Sequence, residues 1–149
     1  MADICRSLAD VVQFAVSREE RARDFYANCE AAAERKGLKR FFREMAEEEE
    51  RHRRMLVDLP RKNLESAILE REEDLHESDF MVDVAFSPEM TYQQALVMAM
   101  KKEEKAYRFY MTWKDRCGRE EVGRVFRFLA GEEKKHKESL EAAYEDLLD

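Results

Sequence analysis

Apolar residues recur along this chain in alternating steps of three and four, the period of an α-helix with one buried face. The pattern predicts four long helices: about Ser7 to Lys36, Leu38 to Leu59, Thr91 to Cys117 and Glu120 to Leu148. Gly37 and Gly118 stand where the first and third should stop, and Pro60 follows the second. Thr91 with Gln94 fits a capping box, and Ser7 with Asp10 a looser form of one. The segment of about 60–90 is charged, and part of it (KNLESAILEREEDL) reads as a short helix. A crossover that climbs back along a bundle needs about thirty residues.

The two halves repeat. At an offset of 84, EERARDFY (19–26) falls on EEKAYRFY (103–110), and FFREMAEEEERH (41–52) falls on VFRFLAGEEKKH (125–136). A duplicated helical hairpin, about 7–59 and 91–148, is the plain reading. Two such hairpins, each apolar on one face, pack as an all-α four-helix bundle, here a single domain over 1–149.

Each helix has a seam that is apolar at both ends and ionisable in the middle. The first runs Leu8, Val12, Ala15, Glu19, Ala22, Tyr26, Cys29, Ala33, and the third runs Tyr92, Leu96, Ala99, Glu103, Ala106, Tyr110, Trp113, Cys117. The second carries Glu49 and His52 between Met45 and Leu56, and the fourth Glu133 and His136 between Leu129 and Leu140. Of the four glutamates in EEEE, Glu49 points inward with His52, while Glu47, Glu48 and Glu50 point sideways or out. Glu19 is favoured over Glu20, and Glu103 over Glu104, with a one-residue slip as the alternative. In each antiparallel hairpin the first-helix glutamate is level with the Glu-x-x-His of its partner. Four carboxylates and two imidazoles therefore meet in one layer of the core.

Four ionised carboxylates in a dry layer repel one another and lose their hydration. No Lys or Arg lies on the seams to offset them. Two divalent cations would, with two neutral imidazoles completing their surroundings. One Glu from each of two helices and one Glu-x-x-His from each of the others is the di-iron or di-manganese carboxylate arrangement of ferritin-like bundles. Oxygen donors with imidazole suit iron or manganese, and zinc is admissible. A metal-free, proton-sharing network and a glycosidase carboxylate pair are the alternatives. The symmetric histidines and the helical frame argue against the second.

The rest of the composition narrows the class. Only 4 Gly and 2 Pro occur in 149 residues, which suits long helices. A net charge of −7 argues against nucleic acid as a partner. No apolar run is long enough to span a bilayer, and the N-terminus does not read as a signal peptide. Cys5, Cys29 and Cys117 form no C-x-x-C, which fits reduced thiols and a cytoplasmic setting.

The Glu-x6-Tyr of helices one and three (Glu19…Tyr26, Glu103…Tyr110), with the Glu-x-x-His of helices two and four, resembles the rubrerythrin family of ferritin-like proteins. The resemblance runs from about Ser7 to Leu147, with the crossover loosely matched. It implies a non-haem centre of two iron ions that reacts with hydrogen peroxide or dioxygen. It also implies Glu49 and Glu133 as bridging carboxylates, Glu19 and Glu103 as terminal ligands, and His52 and His136 as one imidazole per iron. Tyr26 and Tyr110 become phenols that hydrogen-bond the ligand carboxylates; as plain sequence they read equally as core aromatics. Two departures stand out. The paired C-x-x-C motifs of a rubredoxin-like iron site are missing here, so electrons would come from a separate donor such as a rubredoxin. Ala106 stands where many rubrerythrins carry a further Glu, which leaves a six-ligand set similar to a bacterioferritin-type ferroxidase centre.

Three functions therefore stand side by side: a peroxide- or dioxygen-reacting oxidoreductase, a ferroxidase or iron-storage subunit, and a metal-stabilised binding protein without turnover. Cys29 and Cys117 read as core thiols, Trp113 as core or interface, and His76 as a surface residue. Phe14, Phe25, Phe109 and Phe128 lie off the seams, and this spare apolar surface predicts a homodimer.

Overall fold

The three-and-four spacing does form four helices in a computed structural model that describes residues 8–60, 64, 86–116 and 119–148. They are α1 (Leu8–Ala32), α2 (Lys36–Val57), α3 (Tyr92–Trp113) and α4 (Glu120–Leu148). α1 packs along α2 and α3 along α4, while α1 touches α3 and α2 touches α4. The result is a bundle of two hairpins with the ferritin-like arrangement. The expected crossover helix, His76, Cys5, Cys117 and the Ser7 cap lie outside the described residues. No helix among the described residues is long and apolar enough to cross a membrane.

The start of α3 is as its sequence reads. Gln94 N donates to Thr91 Oγ1 at 3.1 Å and Thr91 N to Gln94 Oε1 at 2.9 Å, closing both halves of a capping box. The first turn differs from expectation. α1 ends at Ala32, and Gly37 lies inside the first turn of α2, not beyond a helix end. Ala33 N bonds to the carbonyls of Cys29 and Glu30, and Lys39 Nζ reaches back to the Glu30 carbonyl at 3.1 Å. A lysine on the next helix thus satisfies a terminal carbonyl, and no left-handed glycine is needed.

Two apolar clusters fill the bundle, one on each side of the ionisable layer. One joins Leu8, Val12, Leu56, Trp113, Phe126 and Leu129 with their neighbours. The other joins Phe25, Phe42, Met45, Leu96 and Leu140 with theirs. Cys29 and Trp113 are core, as their seam positions predict. Phe14, Phe25 and Phe109 are core as well, which removes most of the apolar surface on which the expected homodimer was argued. The reason is geometric: a bundle helix buries an apolar stripe of about 100° or more, wider than a two-position seam. Of those four aromatics only Phe128 stays outside, 49% exposed.

Gly131 is exposed in mid-α4, and a Cβ built on it meets nothing within 4 Å. Its helical backbone needs no glycine. Gly131→Ala should raise stability by about 0.5–1 kcal/mol, read from the urea midpoint at unchanged slope. A loss of stability would show that the position serves something beyond the helix.

Candidate metal centre

All six residues singled out by the seams meet in one layer. Glu19, Glu49, Glu103 and Glu133 are fully buried, and His52 and His136 nearly so. Glu20 and Glu104, the one-residue slips, are only part-buried, and Glu104 pairs with Arg108 and Lys137 at the surface.

The layer has approximate twofold symmetry that follows the repeat. Glu19, Glu49, His52 and Glu133 form one group whose donor atoms lie within 4.8 Å of one another. Glu49, Glu103, Glu133 and His136 form a second. Glu49 and Glu133 belong to both. His52 Nδ1 lies 3.1 Å from Glu133, 3.8 Å from Glu19 and 4.0 Å from Glu49. His136 Nδ1 lies 2.8 Å from Glu49, 3.6 Å from Glu103 and 3.7 Å from Glu133. The imidazole rings stack with centroids 5.5 Å apart. Each Nδ1 thus faces two shared carboxylates and the glutamate of its own hairpin.

The tyrosines cross between hairpins. Tyr26 on α1 donates to Glu103 Oε1 at 2.6 Å, and Tyr110 on α3 donates to Glu19 Oε1 at 2.5 Å. Burial, and then the charge of the partner carboxylate, raises both phenols well above their usual pKa, so they remain donors. Each fixes one oxygen of its glutamate and leaves the other free. Ala106 is fully buried one turn beyond Glu103 and adds no donor.

Three residues here escaped the sequence reading, one of them the part-buried Glu132, whose carboxylate lies within 4.8 Å of a ring nitrogen of His52 and of His136. Glu48, expected to point away, bonds through its carboxylate to His136 Nε2, which leaves Nδ1 turned to the layer. That contact holds Glu48 below the usual carboxylate range. A carboxylate behind an imidazole fixes its tautomer and orientation for a cation. The signal was the helix itself: Glu48 is one position before Glu49, at the edge of the seam and 38% exposed. Arg18 is the third. It lies off the seam yet is 5% exposed, with Nη1 donating to Glu19 Oε1 at 3.3 Å. The seams carry no Lys or Arg, as read, but Arg18 reaches the layer from the position beside one. One guanidinium beside four carboxylates still leaves an excess of negative charge.

These residues suit a pair of cations better than a closed polar network. Glu19 Oε2, both oxygens of Glu49, Glu103 Oε2, Glu133 Oε2 and His136 Nδ1 are buried with no hydrogen-bond partner. His136 Nδ1 and Glu49 Oε1 are 2.8 Å apart but are not aligned for a hydrogen bond. A proton-sharing network would join these atoms to each other. Leaving them unsatisfied costs about 1–3 kcal/mol each, and more if charged. They converge instead on shared points, as donors to an ion do.

An all-α ferritin-like bundle with a buried Glu/His layer defines the class. Residues 10–144 match the Rubrerythrin family, and the chain belongs to it. Among solved structures it is similar to a hypothetical protein from Pyrococcus furiosus, at 27% identity and a TM-score of 0.76, over 96% of this chain and 91% of that one. A candidate ferritin-like diiron-carboxylate protein from Thermotoga maritima shares the fold at 18% identity and a TM-score of 0.74, over 97% and 98% of the two chains. Among curated proteins, none matches.

Without a cation, protons take its place. Burial, then the charge of Glu133, pushes the Glu103 carboxyl up to about 8. Burial opposes protonation of His52, but the carboxylates of Glu133 and Glu19 outweigh it and hold the imidazole up to about 10. Both groups keep protons in the folded state that they release when unfolded. The Glu103 carboxyl thus favours unfolding increasingly as pH rises from its unfolded value toward about 8. The stabilisation from His52 is complete below its unfolded value and is lost as pH climbs toward about 10. Cations compete with these protons. The rise in Tm on adding Mn(II) should therefore grow between about pH 5.5 and about pH 8. A rise that shrinks with pH would contradict this. Glu48→Ala should lower Mn(II) affinity about 10- to 100-fold in a calorimetric titration, and unchanged affinity would mean that the contact with His136 does not orient a ligand.

Proposed function

We propose that this chain is a non-haem di-iron oxidoreductase that reacts with hydrogen peroxide or dioxygen. One observation carries the proposal: two overlapping groups of four buried donors share Glu49 and Glu133. Two carboxylates held in common would hold two ions, with Glu19 and His52 serving one and Glu103 and His136 the other. Bound iron would supply the redox chemistry, giving two electrons to the oxidant.

The protein's own part is to hold, orient and exclude. Tyr26 and Tyr110 pin one oxygen of Glu103 and of Glu19 and leave the second oxygen of each unpartnered, so that it would be available to a cation. The apolar clusters above and below keep bulk water out of the layer. Glu48 ties His136 to a part-exposed surface position and so fixes the ring at the edge of the centre. Reducing equivalents would come from a rubredoxin-type donor. Oxidant defence in a cytoplasm is the setting that suits this chemistry.

A second reading has an observation of its own. Ala106 leaves the layer with six buried donor residues, the set expected of a ferroxidase that oxidises Fe(II) and passes it on.

Anaerobic loading with Fe(II), followed by peroxide or oxygen in stopped flow, separates the readings. The oxidoreductase takes up about two irons per chain and is oxidised repeatedly by peroxide when a reductant is present. Continued uptake well beyond two per chain supports the iron-handling reading. Iron that binds but reacts with neither oxidant supports a non-catalytic metal protein. Glu133→Ala should abolish iron oxidation, because it removes a carboxylate common to both groups.

A further inference from the structure

Arg18 breaks the twofold likeness of the layer. Its side chain is buried, and its Nη1 donates to Glu19 Oε1, the oxygen that also accepts from Tyr110. At the repeat position, 84 residues on, stands Lys102, which is less buried and lies over the Phe25 ring with Nζ 5.1 Å from the centroid. Of the four carboxylates, Glu19 feels the charge of Arg18 most, ahead of Glu133 and Glu49. A guanidinium stays charged at every working pH, so this positive charge is permanent. The carboxylates do not set the two ends apart: Glu48 sits directly behind His136, and its repeat counterpart Glu132 lies within 4.8 Å of a ring nitrogen of His52 and of His136.

We infer that the two cation positions are inequivalent. The position of Glu103 and His136 fills first and holds its ion more tightly. The position of Glu19 and His52, beside Arg18, fills second and empties first. The cause is electrostatic. Arg18 repels an incoming cation and draws on the Glu19 carboxylate, which it meets at 3.3 Å. This inference rests on the two-cation reading above, and it makes one half of the centre an exchangeable site.

Calorimetric titration of metal-free protein with Mn(II), followed in parallel by electron paramagnetic resonance, tests it. The wild type should bind in two steps separated about tenfold or more, with an isolated-ion signal after the first equivalent that is lost to a coupled pair after the second. Glu103→Gln should remove the tight step, and Glu19→Gln the weak one. Arg18→Met should tighten the weak step and narrow the gap, whereas Arg18→Lys, which keeps the charge, should preserve it. Two equal steps in the wild type, an unchanged gap in Arg18→Met, or loss of the weak step in Glu103→Gln would overturn the inference and leave the two-cation reading standing. No Mn(II) binding at all would overturn that reading itself. If Arg18→Met fails to fold, the wild-type gap and the two glutamate variants still decide the matter.

Discussion

Negative charge confined in a dry layer is the constraint on which this bundle turns. Glu19, Glu49, Glu103 and Glu133 have no access to water, and their nearest charged neighbours are one another, two imidazoles and a single guanidinium. An apolar core would tolerate none of them without compensation. Something positive must occupy the layer: protons when no metal is there, and cations when they are available. Every buried polar feature nearby is arranged around that need, from the crossed tyrosines to the carboxylate behind His136.

The repeat is what makes such a layer possible. A single hairpin brings together a glutamate and a Glu-x-x-His, which is too few donors for two ions. The second copy supplies the rest, and Glu49 and Glu133 reach across between α2 and α4. The tyrosines span the other diagonal relation, α1 to α3, so each hairpin is completed by its partner at two points. The hydrogen bonds that fix the donors therefore also fix the docking of the two halves. Exact symmetry is not kept, and Arg18 opposite Lys102 shows that duplicated halves can place a positive charge differently while the ligands stay paired.

Much of this was legible because helical period and repeat offset constrain each other. An offset divisible by seven keeps both halves in register, so one choice of inward face at Glu49 also settles Glu133, Glu19 and Glu103. What escaped was decided by contacts that period alone does not encode. Gly37 looked like a stop, but a lysine from the next helix caps the carbonyl instead. Phe14 and Phe109 looked spare, yet they touch across the core with ring centroids 5.1 Å apart. Glu48 and Arg18 sit one position before a seam residue, where long side chains can curl inward. A seam drawn as a line misses them, since burial at its edge depends on side-chain length and on an opposite charge within reach.

Anomalous diffraction at the iron edge from crystals grown after anaerobic Fe(II) loading tests the central claim most directly. The account predicts two peaks in one layer, both bound by Glu49 and Glu133, one joined to Glu19 and His52, the other to Glu103 and His136. Iron found only at the surface, with these six side chains hydrogen-bonded to one another or to water, would contradict it.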